Sequence, residues 1–159
     1  MEKNRLLVPY CKTLALIAFI VLLASCSMPR IIVLHDPLTP EEHINLGVSY
    51  EQNGEYDAAL KEYGAASKRL PMAYLYMGNI HFLQGNTGKA ERFYKRAIQK
   101  TGDAKAYNNL AWLYYTTDKN LDKAEDLGHK AVELAPDSSD FKDTLDKILE
   151  KRGTEASQE

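Results

Sequence analysis

The residues of this chain that could do chemistry are few, and their spacing argues against catalysis. Residues 85–89, with the sequence GNTGK, have the glycines and lysine of a phosphate-binding loop. Such a loop needs four residues between its glycines and a Ser or Thr after its lysine. Here two residues separate the glycines, and Ala90 follows the lysine. We therefore predict that this segment is a turn between two helices.

The four histidines do not form a catalytic or metal-binding group either. They are His35, His43, His81 and His129. No two of them lie four residues apart with a carboxylate, as in a helical zinc site, and none adjoins a nucleophile. We expect His43 and His81 to pack inside the fold and most carboxylates to lie on exposed helix faces. The sequence predicts no enzyme, no cofactor, no metal and no small-molecule substrate.

Both cysteines, Cys11 and Cys26, belong to an N-terminal segment with a pattern of its own. Three basic residues are followed by an uncharged apolar run of 11 residues, from 14 to 24. This run is shorter than the roughly 17–25 residues of a transmembrane helix, so residues 1–25 are predicted to be a signal peptide.

The end of this segment resembles the lipobox of bacterial lipoproteins, since residues 23–26 have the sequence LASC. The resemblance implies cleavage before Cys26 and lipidation of its thiol, which leaves the mature chain without a free thiol. Several acyl chains anchor durably because each buried CH₂ contributes about 0.8 kcal/mol. Ser27 resembles the residue of lipoproteins sorted to the outer membrane, facing the periplasm. An ordinary secretory signal with an incidental cysteine is the alternative.

The charge balance argues against nucleic acid as a partner. Without residues 1–25, the chain has 17 Lys and Arg against 21 Asp and Glu, so its net charge changes from −2 to −4. Nucleic-acid binding requires a basic surface that releases counterions from phosphates, and the sequence has no basic cluster.

The rest of the chain carries a motif three times, at a period near 34 residues. Its first part is Leu46-Gly47 with Tyr50, Met77-Gly78 with His81, and Leu110-Ala111 with Tyr114. Its second part is Ala59, Tyr63 and Ala66, then Ala90, Tyr94 and Ala97, then Ala124, Gly128 and Ala131. This pattern resembles the tetratricopeptide repeat, a helix-turn-helix unit. The resemblance implies an all-α fold, a right-handed α-solenoid of three repeats with a C-terminal capping helix.

The predicted organisation follows from these repeats. It comprises a lipidated N-terminus and short linker at 26–39, repeats at about 40–70, 71–103 and 104–138, a capping helix at 139–151, and a disordered tail at 152–159. The predicted repeat helices are 40–52, 55–68, 72–84, 89–100, 104–116 and 121–134. Thr39 and Glu42 have the spacing of a capping box, which predicts the start of the first helix. Gly128 stands where the repeat has an aromatic residue and could admit the capping helix at close range.

In this repeat family, the first helix of each unit lines a concave groove. Mapped onto this sequence, the predicted partner-binding residues are Ile44, Val48, Leu75, Asn79, Phe82, Asn108, Trp112 and Tyr115. Large apolar side chains outside the core often mark contact sites, and Trp and Tyr are frequent interface hot spots. Asparagine is a poor helix former, but its amide can bond the backbone of an extended peptide. Chaperone-binding repeat domains clamp a carboxylate with Lys and Asn; because Ile44 and Val48 fill two clamp positions, we expect an apolar or aromatic ligand.

These features predict a membrane-anchored scaffold or adaptor that binds a protein or extended peptide and supports assembly of a cell-envelope complex. Two other occupants of the groove remain open. Residues 31–34, with the sequence IIVL, could fold back into it, or a second copy could dimerise through its aromatic residues. The alternative function is that of an accessory subunit of a peptidase or secretion system, docked by strand addition through residues 31–34.

Overall fold

Seven α-helices follow one another in the computed structural model, which describes residues 36–156. They are α1 (Pro40–Gln52), α2 (Tyr56–Ala66), α3 (Ala73–Leu83), α4 (Thr87–Thr101), α5 (Ala104–Thr116), α6 (Leu121–Leu134) and α7 (Ser139–Ala156). The six predicted repeat helices are confirmed to within two residues at each end. The predictions for the signal peptide, Cys26 and residues 31–34 concern a part of the chain outside this description, and the described helices belong to one unit that begins at Leu38.

The start of α1 has the predicted capping box. The Glu42 backbone N–H donates to Thr39 Oγ1 at 3.2 Å, and the Thr39 backbone N–H donates to Glu42 Oε2 at 2.7 Å. Two amides that the helix leaves without partners are thereby satisfied. The bond from the Thr39 backbone also lowers the pKa of Glu42. Pro40 occupies the first turn, where its missing N–H costs nothing.

The helices pack in sequential order, which makes the unit an α-solenoid. The pairs α1–α2, α3–α4 and α5–α6 have the most extensive contacts, and each pair packs on the next. The first helices of adjacent repeats also touch, α3 against α5 and α5 against α7. The predicted all-helical solenoid is therefore confirmed for the described residues.

Close helix approach within the first two repeats depends on glycine. A Cβ at Gly47 would lie 2.5 Å from Tyr63 Cε1, and a Cβ at Gly78 would lie 2.5 Å from Tyr94 Cδ1. The third repeat exchanges these sizes, because Ala111 and Gly128 replace glycine and tyrosine. Leu145 of α7 fills the space above Gly128, with its Cδ1 3.1 Å from where a Cβ would stand. The prediction that Gly128 admits the capping helix closely is confirmed.

The buried side chains form two clusters with α3 between them. The first cluster is Ile44, Ala59, Tyr63, Ala66, Ala73 and Ile80. The second cluster is Leu75, Ala90, Tyr94, Ala97, Ala106, Leu110, Ala111, Leu113, Tyr114, Ala124 and Ile148. Because α3 contributes residues to both, it forms the shared wall between the first repeat and the rest of the solenoid.

The last helix is longer than predicted. It continues to Ala156, so the prediction of a disordered tail from 152 onward is wrong for residues 152–156. Ion pairs with α6 and the turn before it accompany the extension. Lys151 pairs with Asp118, and Arg152 pairs with Glu125 and, at 3.0 Å, with Asp122. These contacts hold the last turns of α7 against its neighbour.

Candidate functional site

A cavity of about 390 Å³ lies on the face where α3, α5 and the start of α7 come together. Its apolar lining consists of Met72, Leu75, Ala106 and Phe141, with the ring of Tyr76. Its polar lining consists of Asn79, Thr101, Asn108 and Asn109, and its charged residues are Asp103, Lys105 and Asp140. A cleft of this size with a few polar groups in an apolar lining is the usual form of a binding site.

Helix packing explains why these residues meet. Leu75 and Asn79 are one turn apart on α3, so they share a face, and α5 presents its own adjacent face with Asn108 and Asn109. Asp103 begins α5 and is fixed there, because its Oδ1 accepts the Lys105 backbone N–H at 2.8 Å. Each wall of the cavity therefore stands on a regular helix.

A hydrogen-bond network fixes the amides at the centre of the site. Asn79 Oδ1 accepts from Tyr94 Oη at 3.1 Å and from Asn109 Nδ2 at 2.9 Å. Burial raises the pKa of Tyr94, so its hydroxyl remains a protonated donor. The network joins α4, α3 and α5. Among the described residues, Asn79 Nδ2 donates no hydrogen bond.

Asn108 carries the clearest unsatisfied polar atom of the site. Its Oδ1 is buried and has no hydrogen-bond partner among the described residues. A buried carbonyl oxygen without a partner costs about 1–3 kcal/mol relative to one that is bonded. Since Asn108 lines the cavity, rotation of its side chain would present this atom to a donor on a bound molecule.

The cavity brings together three of the eight predicted groove residues, Leu75, Asn79 and Asn108. Ile44 is instead part of the first buried cluster and only 7% exposed, so it belongs to the core more than to an accessible wall. Val48 packs against the same cluster, and Phe82 packs against the second. These three side chains are held in place by intramolecular packing and do not line the cavity.

The predicted aromatic residues Trp112 and Tyr115 lie together, with ring centroids 5.1 Å apart. They are half-buried because α7 covers them. Lys147 lies 5.6 Å from the Trp112 ring centroid and Lys151 lies 5.1 Å from that of Tyr115. Both are cation–π contacts. The helix predicted only as a cap therefore also occupies part of the predicted groove.

Sequence reasoning missed the contribution of α7, although a signal was present. Leu145 follows Leu110 by the length of one repeat, which places Lys147 in register with Trp112, Asp140 with Lys105 and Phe141 with Ala106. The lining residues that the sequence analysis missed were Met72, Tyr76, Thr101, Asp103, Ala106, Asp140 and Phe141. Extending the groove alignment into α7 would have found the last two.

Of the residues considered for catalysis or metal binding, residues 85–89 and two of the histidines have turn, helix or packing positions. The predicted turn is confirmed for residues 85 and 86, whereas residues 87–89 already belong to α4. His43 and His81 are buried, which confirms their predicted packing roles. His43 Nδ1 lies 2.7 Å from Glu62 Oε2, and the His81 ring stacks on Phe93. Between residues 36 and 156, no three His, Cys, Asp or Glu side chains are grouped as metal ligands, and no helix is long and apolar enough to cross a membrane.

A second cavity, of about 380 Å³, is bounded by α4, α5 and α6. It is lined by Ile98, Leu110, Tyr114 and Leu127, with Lys95, Lys123 and Asp126. None of the predicted groove residues lines it, and none of its lining residues has a buried polar atom without a hydrogen-bond partner. It therefore serves best as a reference surface for tests of the first cavity.

Models of the tetratricopeptide repeat match this chain at residues 44–105 and again at residues 104–135. Together, the two matches cover α2 to α6 in full and most of α1. No curated protein sequence matches the chain.

Two solved structures show the same fold. The first TPR of Spaghetti (RPAP3), bound to the HSP90 peptide SRMEEVD, is 20% identical with a TM-score of 0.65, and the match covers 76% of this chain and 98% of that one. A tetratricopeptide repeat protein from Parabacteroides merdae is 21% identical with a TM-score of 0.64, and the match covers 75% of this chain and 48% of that one.

Proposed function

Because this chain belongs to the tetratricopeptide repeat family, we propose that it is an adaptor that binds an extended segment of a partner protein. The observation that carries this proposal is the cavity between α3, α5 and α7, where Asn108 Oδ1 is buried without a partner. A buried polar atom left unsatisfied is a cost that a bound donor would remove once the side chain turns toward it.

The related structures support a peptide as the ligand class. The domain of Spaghetti (RPAP3) was solved with a peptide bound, and its fold matches this chain over 98% of its own length. Stacked helical repeats commonly use their concave face to hold extended partners. The proposed adaptor needs no catalytic group.

Photo-crosslinking from inside cells tests this proposal. In the test variant, a photoreactive residue replaces Lys105, which is exposed at the rim of the cavity. In the matched control, it replaces Lys123, which is exposed beside the second cavity. We expect a partner adduct from position 105 that is absent from position 123. Equal adducts at both positions, or an adduct at 123 alone, would contradict the proposed site.

We further propose that Cys26 carries lipid and anchors the adaptor to the cell envelope, at the outer membrane facing the periplasm. The support is the LASC sequence at the end of the apolar run. Labelling with an alkyne fatty acid should mark the protein, and a Cys26→Ser variant should lose both the label and membrane association. Retention of the label in that variant would refute lipidation at this residue.

The alternative of docking through residues 31–34 makes the opposite mutational prediction. A proline cannot donate to a strand ladder, so Ile32→Pro should abolish partner capture if this segment adds a strand to the partner. In the groove proposal, that variant retains the crosslink from position 105.

A further inference from the structure

We propose that the cavity selects an internal, uncharged segment of extended chain, with one apolar side chain seated inside, and discriminates against a free C-terminal carboxylate. This inference rests on the proposed function and names its ligand class. It is carried by the hydrogen-bonding groups, the apolar lining and the charges of the cavity.

The hydrogen-bonding groups match a peptide unit. Asn79 and Asn109 are bonded to each other through Asn109 Nδ2 and Asn79 Oδ1 at 2.9 Å. Asn79 Nδ2 therefore remains as a donor and Asn109 Oδ1 as an acceptor. If both amides were turned over, Asn79 would present the acceptor and Asn109 the donor. In either orientation, the pair offers one donor and one acceptor, as a backbone C=O and N–H require.

The third amide adds a demand for a donor. With its amide oriented as in the structure, Asn108 has a buried Oδ1 without a partner, and a carboxylate has no hydrogen to offer it. A backbone N–H supplies one. The site therefore favours a ligand rich in peptide groups over one that ends in an acceptor-only group.

The apolar lining favours an uncharged side chain. Leu75 and Ala106 form part of the floor, and Phe141 closes the side made by α7. Met72 also lines the cavity and is 42% exposed, so its flexible side chain is free to adapt to a bound group. A charged side chain in these surroundings would lose hydration without gaining a paired counter-charge.

The charges disfavour a terminal carboxylate. Two carboxylates, Asp103 and Asp140, line the cavity with a single cation, Lys105. Two lysines further along α7 are engaged elsewhere, since Lys147 pairs with Asp143 at 2.5 Å and Lys151 pairs with Asp118. Strong carboxylate recognition depends on cationic donors in paired geometry, and this cavity has a surplus of negative charge.

Fluorescence titration of the protein purified from its host in detergent micelles tests the proposal. Trp112 is the only tryptophan and lies one turn from Asn108 on α5, so its emission reports on the site. The first probe is the blocked pentapeptide acetyl-Ala-Ser-Leu-Ser-Ala-amide. The comparison probes carry Asp in place of Leu, or end at the Leu with a free carboxylate or an amide.

We expect saturable binding of the blocked Leu peptide and about tenfold weaker binding of the Asp peptide, because a buried carboxylate loses its hydration. The free acid should bind more weakly than its matched amide. Asp140→Lys should reverse this order, and Asn108→Leu, which removes the acceptor and keeps the branched four-atom side chain, should weaken every peptide. The Lys123→Ala variant should bind as the parent chain does.

Tighter binding of the free acid, or no saturable binding of the blocked Leu peptide, would overturn the inference. The crosslinking result separates this failure from failure of the adaptor function. A specific adduct at position 105 together with a preference for the acid would leave the groove as the docking site and refute only the proposed selectivity. Without any adduct at 105, the docking site itself would be refuted.

Discussion

Glu91 connects three parts of the solenoid through one carboxylate. It lies on α4 and accepts from Lys95 on the same helix at 2.7 Å, from Tyr114 on α5 at 2.8 Å and from Lys119 in the turn before α6 at 2.5 Å. Burial alone raises the pKa of Glu91, but hydrogen bonds from Lys119, Lys95 and Tyr114 outweigh it and lower the pKa from 4.5 to about 2.

This lowered pKa predicts an acid-sensitive contribution to stability. Since the folded state holds Glu91 ionised, the contribution is present above pH 4.5 and is lost as the pH falls toward 2. Glu91→Gln should therefore destabilise the fold at pH 7 by roughly 1–3 kcal/mol, with a smaller difference at pH 3. Urea unfolding at both pH values measures the effect. A difference that stays constant with pH would show that the ionised carboxylate contributes nothing.

At the residue scale, the sequence predicted what short spacings determine. The Thr39–Glu42 capping box and the packing histidines follow from local pattern and amphipathic position. The bond between Asn79 and Asn109 joins residues 30 positions apart, and the cover of Lys147 over Trp112 depends on how α7 docks. Such contacts depend on helix packing, which residue spacing alone does not determine.

Two helix crossings have a glycine at the point of contact, but the side chain that faces the glycine differs in its freedom to move. At Gly78, the ring of Tyr94 lies 2.5 Å from where a Cβ would stand, and Tyr94 is 2% exposed, so the ring has little room to move. At Gly128, the nearest neighbour is the terminal methyl of Leu145, which can rotate.

Matched alanine substitutions should therefore differ. Alanine gains about 1 kcal/mol of helix propensity over glycine at either position. Gly78→Ala should nevertheless destabilise the fold by about 1–2 kcal/mol, because overpacking against a fixed ring costs more than this gain. Gly128→Ala should change the stability by less than about 1 kcal/mol. Urea unfolding followed by circular dichroism compares them; a larger loss at Gly128 would contradict this account of the crossings.

At the element scale, the repeat period gave the six repeat helices, but not the full length of α7. The predicted end at residue 151 came from the apolar pattern, which stops there. The ion pairs that accompany the extension join Lys151 and Arg152 to residues 33 and 27 positions earlier. A local pattern carries no information about partners so distant in sequence.

The whole solenoid contains two buried clusters that meet at α3. In a linear array, each repeat is stabilised by its own packing and by its neighbour, so parts can open separately. The first cluster involves only α1, α2 and α3, whereas the second extends from α3 to α7. The first repeat is therefore the part that can open without loss of the cavity between α3 and α5.

Native-state hydrogen exchange tests this division. Ile44→Ala should lower the opening free energy of amides in α1 and α2 by about 2–4 kcal/mol, through loss of buried apolar contacts. Amides in α5 and α6 should change by less than about 0.5 kcal/mol. Leu113→Ala, in the second cluster, is the matched control and should affect α5 and α6 strongly. Equal acceleration along the whole chain after Ile44→Ala would show that the solenoid unfolds only as one unit.

The two clusters also determine how the molecule would respond to mechanical load. A pull applied at Leu38, on the N-terminal side of the unit, acts first on α1 and α2. These helices could unfold while α3 stays packed in the second cluster, so that the wall of the cavity formed by α3 remains in place. The first repeat would then unfold under tension before the cavity does. The chain could lengthen on its N-terminal side while a ligand stays bound in the cavity.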